Sequence, residues 1–156
     1  MDENLERRIK TNSEELYRLY QEGKNLRLSN NILAFVLLSA IEEASNHFIE
    51  ILLSKCGNST LMRNITARIY NKHEIKYELF LVIYYTMQNY DVETIIERVK
   101  QLSSKWVNIR SGYVNVSEEE LNEIETYYSN YGEMEKVILG LNKDESCDIL
   151  NTLVQM

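Results

Sequence analysis

Residues 29–57, SNNILAFVLLSAIEEASNHFIEILLSKCG, decide the fold class. Apolar residues recur along this stretch at spacings of three and four, which is the pattern of a helix face. Ser29 can cap the first turn, and Gly57 suits the left-handed residue that follows many helices. Because the first half is apolar nearly all round, the stretch predicts a central helix from Ser29 to Gly57.

The full sequence of 156 residues contains no proline and five glycines, which fall between amphipathic stretches. Proline interrupts helices because it lacks the backbone N–H and its ring clashes with the preceding turn. A chain without it is suited to long helices. The sequence therefore predicts an all-α protein, an up-and-down bundle of about five to six helices that forms a single domain over residues 1–156.

Helical patterns continue on both sides of the central stretch. Ser13 resembles a helix start and Gly23 a helix end, and the residues before Ser13 either extend this helix or form a short arm. A further helix restarts after Asn58. Residues 72–89 predict a second central helix, although the run 79–85 also suits a buried strand. We favour the helix because no second strand is available to pair with that run.

The second half of the chain also carries helix starts. Asp91 can cap a long helix that ends near Gly112. Residues 117–156 predict acidic C-terminal helices, the first of which opens with a capping box at Ser117. Gly132 is a candidate break in that helix, and a last helix closes the chain.

The charge distribution limits the partners of the protein. A net charge of −7 argues against nonspecific nucleic-acid binding. However, nine of the 17 Lys and Arg residues lie within residues 55–76 and 98–110. These basic stretches either attract phosphate or are ordinary solvated helix faces.

The sequence also indicates a cellular location. No basic and apolar leader opens it, and the apolar window 32–41 is about half as long as a membrane crossing. We therefore expect a cytoplasmic protein that has no membrane partner. In that setting Cys56 and Cys147 are expected to be reduced thiols.

Motifs for common cofactors are missing from the sequence. It has no glycine-rich phosphate loop, CxxC, HExxH or nucleophile elbow, and neither histidine follows a glutamate by three positions as in di-iron bundles. We therefore predict no cofactor and no metal site.

Glu43 and His47 lie one helical turn apart and can pair, either to orient a half-buried histidine or to act in catalysis or metal binding.

Arg68 and His73 form an Arg-x4-His pair. Such a pair suits RNA cleavage, because histidine exchanges protons near neutral pH and arginine holds phosphate. Ribonucleases of the HEPN superfamily carry Arg-x(4–6)-His on a helical bundle, and the pair resembles that motif.

A longer series of motifs follows in sequence order. Residues 40–43 read AIEE, His73 precedes Lys76 by three positions, and residues 110–115 read RSGYVN. Together they resemble the abortive-infection V (AbiV) family of phage-defence proteins, which is placed in the HEPN superfamily. The resemblance covers residues 12–116.

The resemblance implies a phage-defence protein that acts on RNA or the translation machinery, and leaves open whether it is a metal-independent ribonuclease. The expected catalytic residues are His73, Arg110, Glu43 and Tyr113. The expected RNA- or phosphate-binding residues are Lys76, Arg68 and Lys72. The chain differs from the family pattern at Glu74 and Asn115, and no histidine follows Arg110.

Helix order makes such a site possible. If the two central helices are antiparallel neighbours, Glu42 and Glu43 can meet His73 at one end of the bundle, and Arg110 can approach the same end. In this arrangement Glu43 would orient His73. The same residues could instead form a polar cluster that only fixes the register of the helices.

We also expect a symmetric homodimer. Eleven tyrosines and three phenylalanines are many for one small core, and aromatic residues are enriched at interfaces. The family resemblance implies a dimer as well. The alternative function is a non-catalytic dimeric binding module, antitoxin-like or a sensor partner, whose acidic helix around residues 118–125 suits a basic protein.

Overall fold

The computed structural model of the protein describes residues 3–57, 59–69 and 72–156, which form eight α-helices and no strand. The helices are α1 (Glu3–Asn25), α2 (Asn30–Cys56), α3 (Ser59–Ile69), α4 (His73–Met87), α5 (Val92–Arg110), α6 (Glu118–Tyr128), α7 (Tyr131–Gly140) and α8 (Lys143–Gln155). The prediction of an all-α bundle is confirmed. The helix count exceeds the expected five to six because the acidic C-terminal region divides into three short helices.

Helices α2 and α4 form the centre of the bundle. Helix α2 packs against α1, α4, α5, α6, α7 and α8, and α4 also packs against α3, α5, α7 and α8. The run 79–85, which also suited a strand, lies within α4, and all of it except Tyr84 is buried. A helix enclosed on every side needs apolar residues on every side, which explains its strand-like composition.

Several predicted helix boundaries are confirmed by their caps. The Ser29 side chain accepts a hydrogen bond from the Ile32 amide at the start of α2, and the Asp91 carboxylate accepts one from the Thr94 amide at 2.7 Å before α5. Ser117 opens a complete capping box before α6. These local signals work because each cap satisfies amides that the first helical turn leaves free.

Helix α1 begins at Glu3 and not at Ser13, which confirms the alternative that the residues before Ser13 extend this helix. Ser13 is buried, and its hydroxyl donates to the carbonyl oxygen of Ala40 at 2.7 Å. The serine oxygen therefore joins α1 to α2 instead of capping a helix.

Two glycines also differ from their predicted roles. Helix α1 continues past Gly23, where an added Cβ would lie 2.8 Å from a Leu33 methyl carbon, so the glycine permits close packing of α1 on α2. Gly132 lies inside α7, and the break falls just before it, because α6 ends at Tyr128 and α7 begins at Tyr131.

A disulfide joins Cys56 and Cys147, whose Cα atoms lie 5.0 Å apart, and this corrects the expectation of reduced thiols. The bond links the end of α2 to the first turns of α8. The two cysteines are 91 residues apart in sequence, so only the packing of α8 against α2 brings them together. Next to them, the Lys55 ammonium donates to carbonyl oxygens in the last turn of α7 and just after it, at Ile138, Leu139 and Leu141.

Among the described residues, α2 is the one helix whose length and composition would also allow a membrane crossing. In this structure most of it is buried by the helices around it. Its apolar character is therefore accounted for by its position in the core.

Candidate functional site

A polar cluster lies where the start of α4 and the end of α5 meet the middle of α2. Its centre is Glu42, whose side chain is 9% exposed. One Glu42 oxygen pairs with Nδ1 of His73. The other accepts hydrogen bonds from the Tyr77 hydroxyl at 2.8 Å and from Nε of Arg110 at 3.2 Å. We call Glu42, His73, Tyr77 and Arg110 the Glu42 cluster.

Helical spacing explains how α4 reaches this carboxylate. His73 and Tyr77 are four residues apart, so their side chains project from one face of the helix. Ser45, three residues after Glu42 on α2, donates to the carbonyl oxygen of Lys76 at 2.6 Å. These contacts hold α2 and α4 in one register.

Tyr77 is held neutral by its surroundings. Its burial, and secondly the Glu42 carboxylate, raise the pKa of Tyr77 well above the usual tyrosine value. Its ring meets Trp106 edge to face at 5.8 Å, which fixes its position. Tyr77 can therefore act only as a hydrogen-bond donor to Glu42 at ordinary pH.

The two nitrogen bases of the cluster, His73 and Arg110, remain partly accessible. The side chain of His73 is 49% exposed and that of Arg110 is 27% exposed. A carboxylate on Nδ1 fixes the orientation of the imidazole and leaves Nε2 as the nitrogen that can exchange a proton. An oriented imidazole beside a guanidinium can carry out acid–base chemistry on a bound phosphate ester.

Glu43, the expected orienter, lies outside the described contacts of this cluster. Its carboxylate accepts a hydrogen bond from Asn46 at 3.3 Å, and the contact to His73 comes from Glu42 instead. Successive helix residues point about 100° apart, so only one of two adjacent glutamates can face α4.

The other expected site residues lie on or next to α3, α4 and α5, and no described side-chain contact joins them to the cluster. Tyr113 is 83% exposed in the loop after α5. Lys72 is exposed immediately before α4, and Lys76 is half-buried on it. Arg68 lies on α3 and donates to the carbonyl oxygen of Val154 in α8, so the described contacts do not join it to His73.

A further acidic residue on α4, which the sequence analysis missed, lies among the basic side chains. Burial and the neighbouring Glu74 raise the pKa of Glu78 to about 7, and Arg68 and Lys100 partly oppose the shift. The sequence shows that Glu74 and Glu78 are one helical turn apart, so it indicates their mutual repulsion. It does not show that Glu78 is partly buried.

His47 belongs to a separate cluster on another face of α2. It is fully buried, with Nδ1 hydrogen-bonded to the Tyr131 hydroxyl at 2.7 Å and Nε2 to Glu6 at 3.0 Å. The expected pair with Glu43 is therefore wrong. Within the described ranges, no three histidine, cysteine or acidic side chains are placed to hold a metal ion.

Comparisons of the chain with family models, curated proteins and solved structures found no match. Helical bundles carry many unrelated activities, so fold class alone does not assign a function. The function is therefore argued from the residues of the Glu42 cluster.

Proposed function

We propose that the protein is a HEPN-type abortive-infection protein of phage defence, and that the Glu42 cluster is its site of action on RNA. One observation carries the proposal: a buried carboxylate holds a half-exposed histidine and an arginine side by side. The motif order in residues 40–43, 73–76 and 110–115, which resembles the AbiV family, supports the same function. The proposal includes a cytoplasmic location and no membrane association, a setting in which the Cys56–Cys147 disulfide is exceptional because cytosolic thiols are usually kept reduced.

The chemistry would be metal-independent cleavage of the RNA backbone. His73 takes the proton from a ribose 2′-hydroxyl as that oxygen attacks the adjacent phosphorus, and the bond to the 5′-oxygen breaks. Arg110 neutralises the phosphate through its terminal nitrogens. Glu42 stabilises the imidazolium that forms on His73. The departing 5′-oxygen takes a proton from a second imidazolium, that of His73 in the other copy of a dimer.

A homodimer belongs to this proposal. The side chains of Ile32 and Phe35 are exposed three residues apart on α2, and Tyr113 and Val114 are exposed after α5. The Arg110 guanidinium lies 5.1 Å from the Phe35 ring, so this apolar surface adjoins the Glu42 cluster. A second copy covering it would bring two His73 side chains near one RNA, one as base and one as acid.

The dimer is tested by light scattering at micromolar concentration, with Phe35→Glu as the disrupting variant and Leu139→Glu as a control at a distant exposed apolar residue. We expect a dimer for the unmodified protein and the control, and a monomer for Phe35→Glu. A monomer in every sample would count against the homodimer.

The function is tested with purified protein and RNA, and in cells by toxicity. We expect His73→Ala to lose about 10²- to 10⁴-fold in cleavage, because it removes the general base. Arg110→Ala should lose about 10²- to 10³-fold, because it removes electrostatic stabilisation of the phosphate. Glu43→Gln is the matched control, since it removes a charge beside Glu42 without a described contact to His73. A His73→Ala protein that is less stable yet equally active would reject this site.

The alternative is a non-catalytic binding module. Both Glu42 oxygens already have partners on α4 and α5, and these contacts fix the register of α2 against those helices. A purely structural role of the cluster would favour this alternative. Glu118, Glu119 and Glu123 are exposed on α6 and suit a basic protein. If this alternative holds, reversing these three charges abolishes binding to a basic protein partner, whereas His73→Ala leaves that binding intact.

A further inference from the structure

A cleft of about 490 Å³ lies between α1 and the helices α6 and α7. It is lined by Lys10, Glu14, Tyr17, Tyr128, Ser129, Tyr131, Gly132 and Glu135. Its volume is in the range of sites that bind small molecules. None of these residues belongs to the Glu42 cluster, which is built by α2, α4 and α5.

The aromatic walls of the cleft are fixed from behind. The Tyr128 hydroxyl donates to the carbonyl oxygen of Ser13 at 3.1 Å, and the Tyr131 hydroxyl is hydrogen-bonded to the buried His47 at 2.7 Å. The Tyr17 ring packs against Tyr128 with centroids 4.6 Å apart. A ligand would therefore lose little free energy in ordering these rings.

The cleft has an acidic lining. It adjoins a second cavity of about 450 Å³, which shares Lys10 and Glu135 with it. The charged residues of the two linings are Glu3, Glu6, Glu14 and Glu135 against Arg7 and Lys10. His47 also lines the second cavity, with Nε2 3.0 Å from Glu6 and 3.6 Å from Glu135. Four carboxylates against two cations give a negative potential that attracts positively charged ligands.

The cleft already holds one alkylammonium group. Nζ of Lys10 lies 2.9 Å from a Glu135 oxygen, and the Lys10 side chain is 41% exposed. A lysine stem is flexible, so an incoming cation can take its place at Glu135. Glu14 supplies a second carboxylate in the same lining.

We propose that this cleft binds a small organic cation of the polyamine class, an alkylammonium or guanidinium compound. Its charged ends pair with Glu135 and Glu14, and its aliphatic chain and cationic groups pack on the tyrosine rings, which attract cations. The site is independent of the proposed action on RNA, because it uses other residues and its test measures binding.

The test is isothermal titration calorimetry with agmatine, which carries a guanidinium and an ammonium group, in low-salt buffer. We expect saturable one-to-one binding of agmatine and no binding of the uncharged 1,4-butanediol. Glu135→Gln should weaken binding by about tenfold or more, as loss of a charge-assisted contact predicts. Absence of saturable agmatine binding would overturn the proposal.

Matched variants sharpen the result. Glu133→Gln lies two residues away on α7, loses the same charge, and removes an exposed pair with Lys136 outside the cleft, so its affinity should stay unchanged. Lys10→Met removes the internal competitor and should tighten binding severalfold. Equal affinities of the Glu133 and Glu135 variants, or weaker binding by Lys10→Met, would overturn the proposal. If Glu135→Gln fails to fold, the exposed Glu14→Gln replaces it with the same expectation.

Discussion

Helix α2 contributes to two histidine–carboxylate pairs that have opposite arrangements. In the Glu42 cluster the carboxylate is buried and the imidazole of His73 is half-exposed. In the other pair His47 is buried, and its partner Glu6 lies nearer the surface with a side chain 22% exposed. Glu42 and His47 are only five residues apart on α2. A histidine with both nitrogens bonded inside the core stabilises the fold, whereas a half-exposed one held at one nitrogen can exchange protons with a substrate.

Both histidine–carboxylate pairs depend on the position of α2. The disulfide at Cys56 attaches the end of α2 covalently to α8. We expect Cys147→Ser to lower the free energy of unfolding by about 2–4 kcal/mol, because it removes a constraint on the unfolded chain. Urea denaturation measures this loss. Two reactive thiols in the folded, unreduced protein would contradict the bond itself.

Replacing each histidine with alanine should distinguish the two pairs most clearly by the loss in free energy of unfolding. His47→Ala should cost about 2–3 kcal/mol, since it leaves a cavity and a buried Tyr131 hydroxyl without its partner. His73→Ala should cost less, about 1 kcal/mol, because water can enter the half-exposed position of the lost imidazole and hydrogen-bond the Glu42 oxygen. Both are read from urea denaturation. Equal losses would show that burial does not separate the two roles.

The assignment of Glu42 over Glu43 is tested by paired glutamine variants. Glu42→Gln should cost about 1–3 kcal/mol, because it leaves His73 and Arg110 without their shared anion. Glu43→Gln should stay within about 0.5 kcal/mol, as expected for a half-buried side chain outside the cluster. Thermal unfolding of the two proteins compares them. A larger loss for Glu43→Gln would assign the central role to the other glutamate.

The smallest expected effect on stability belongs to Glu78 and depends on pH. Its pKa of about 7 in the folded protein lies above the usual 4.5. Between these values the folded chain keeps a proton that the unfolded chain has lost, so the free energy of unfolding falls as pH rises. The side chain is half-buried and screened by water, so we expect about 1 kcal/mol.

Glu78→Gln should abolish that part of the pH dependence, measured by urea denaturation from pH 4 to pH 8. Glu93→Gln is the control, because Glu93 is exposed and is not among the groups that shift Glu78, so it should leave the slope in place. A stability that rises between pH 4.5 and 7 in the unmodified protein, and is unaffected by Glu78→Gln, would contradict the shift.

Predictions from the sequence succeeded where the deciding interaction is local. The caps at Ser29, Asp91 and Ser117 depend on residues within one turn, so their spacing predicts them. The burial of α4 followed from its continuous apolar run. The helix start expected at Ser13 was not found, because its hydroxyl donates to a carbonyl oxygen on another helix. No local pattern in the sequence indicates that contact.

The same distinction between local patterns and contacts across helices applies to the candidate site. Its residue types and the helices that carry them could be named from motif order, including His73 and Arg110. The choice between Glu42 and Glu43 could not, because it depends on the rotation of α2 against α4. Tyr77 was missed although it lies one turn after His73, since its role requires the carboxylate on the other helix.

The sequence by itself determined that this protein is helical and where most of its helices lie, because the absence of proline, the apolar periodicity and the caps act within single segments. The tertiary structure alone decided which glutamate meets His73, that His47 pairs with Glu6 and Tyr131, and that Cys56 meets Cys147. Each of these contacts joins residues on different helices, and its formation depends on the packing of the whole bundle.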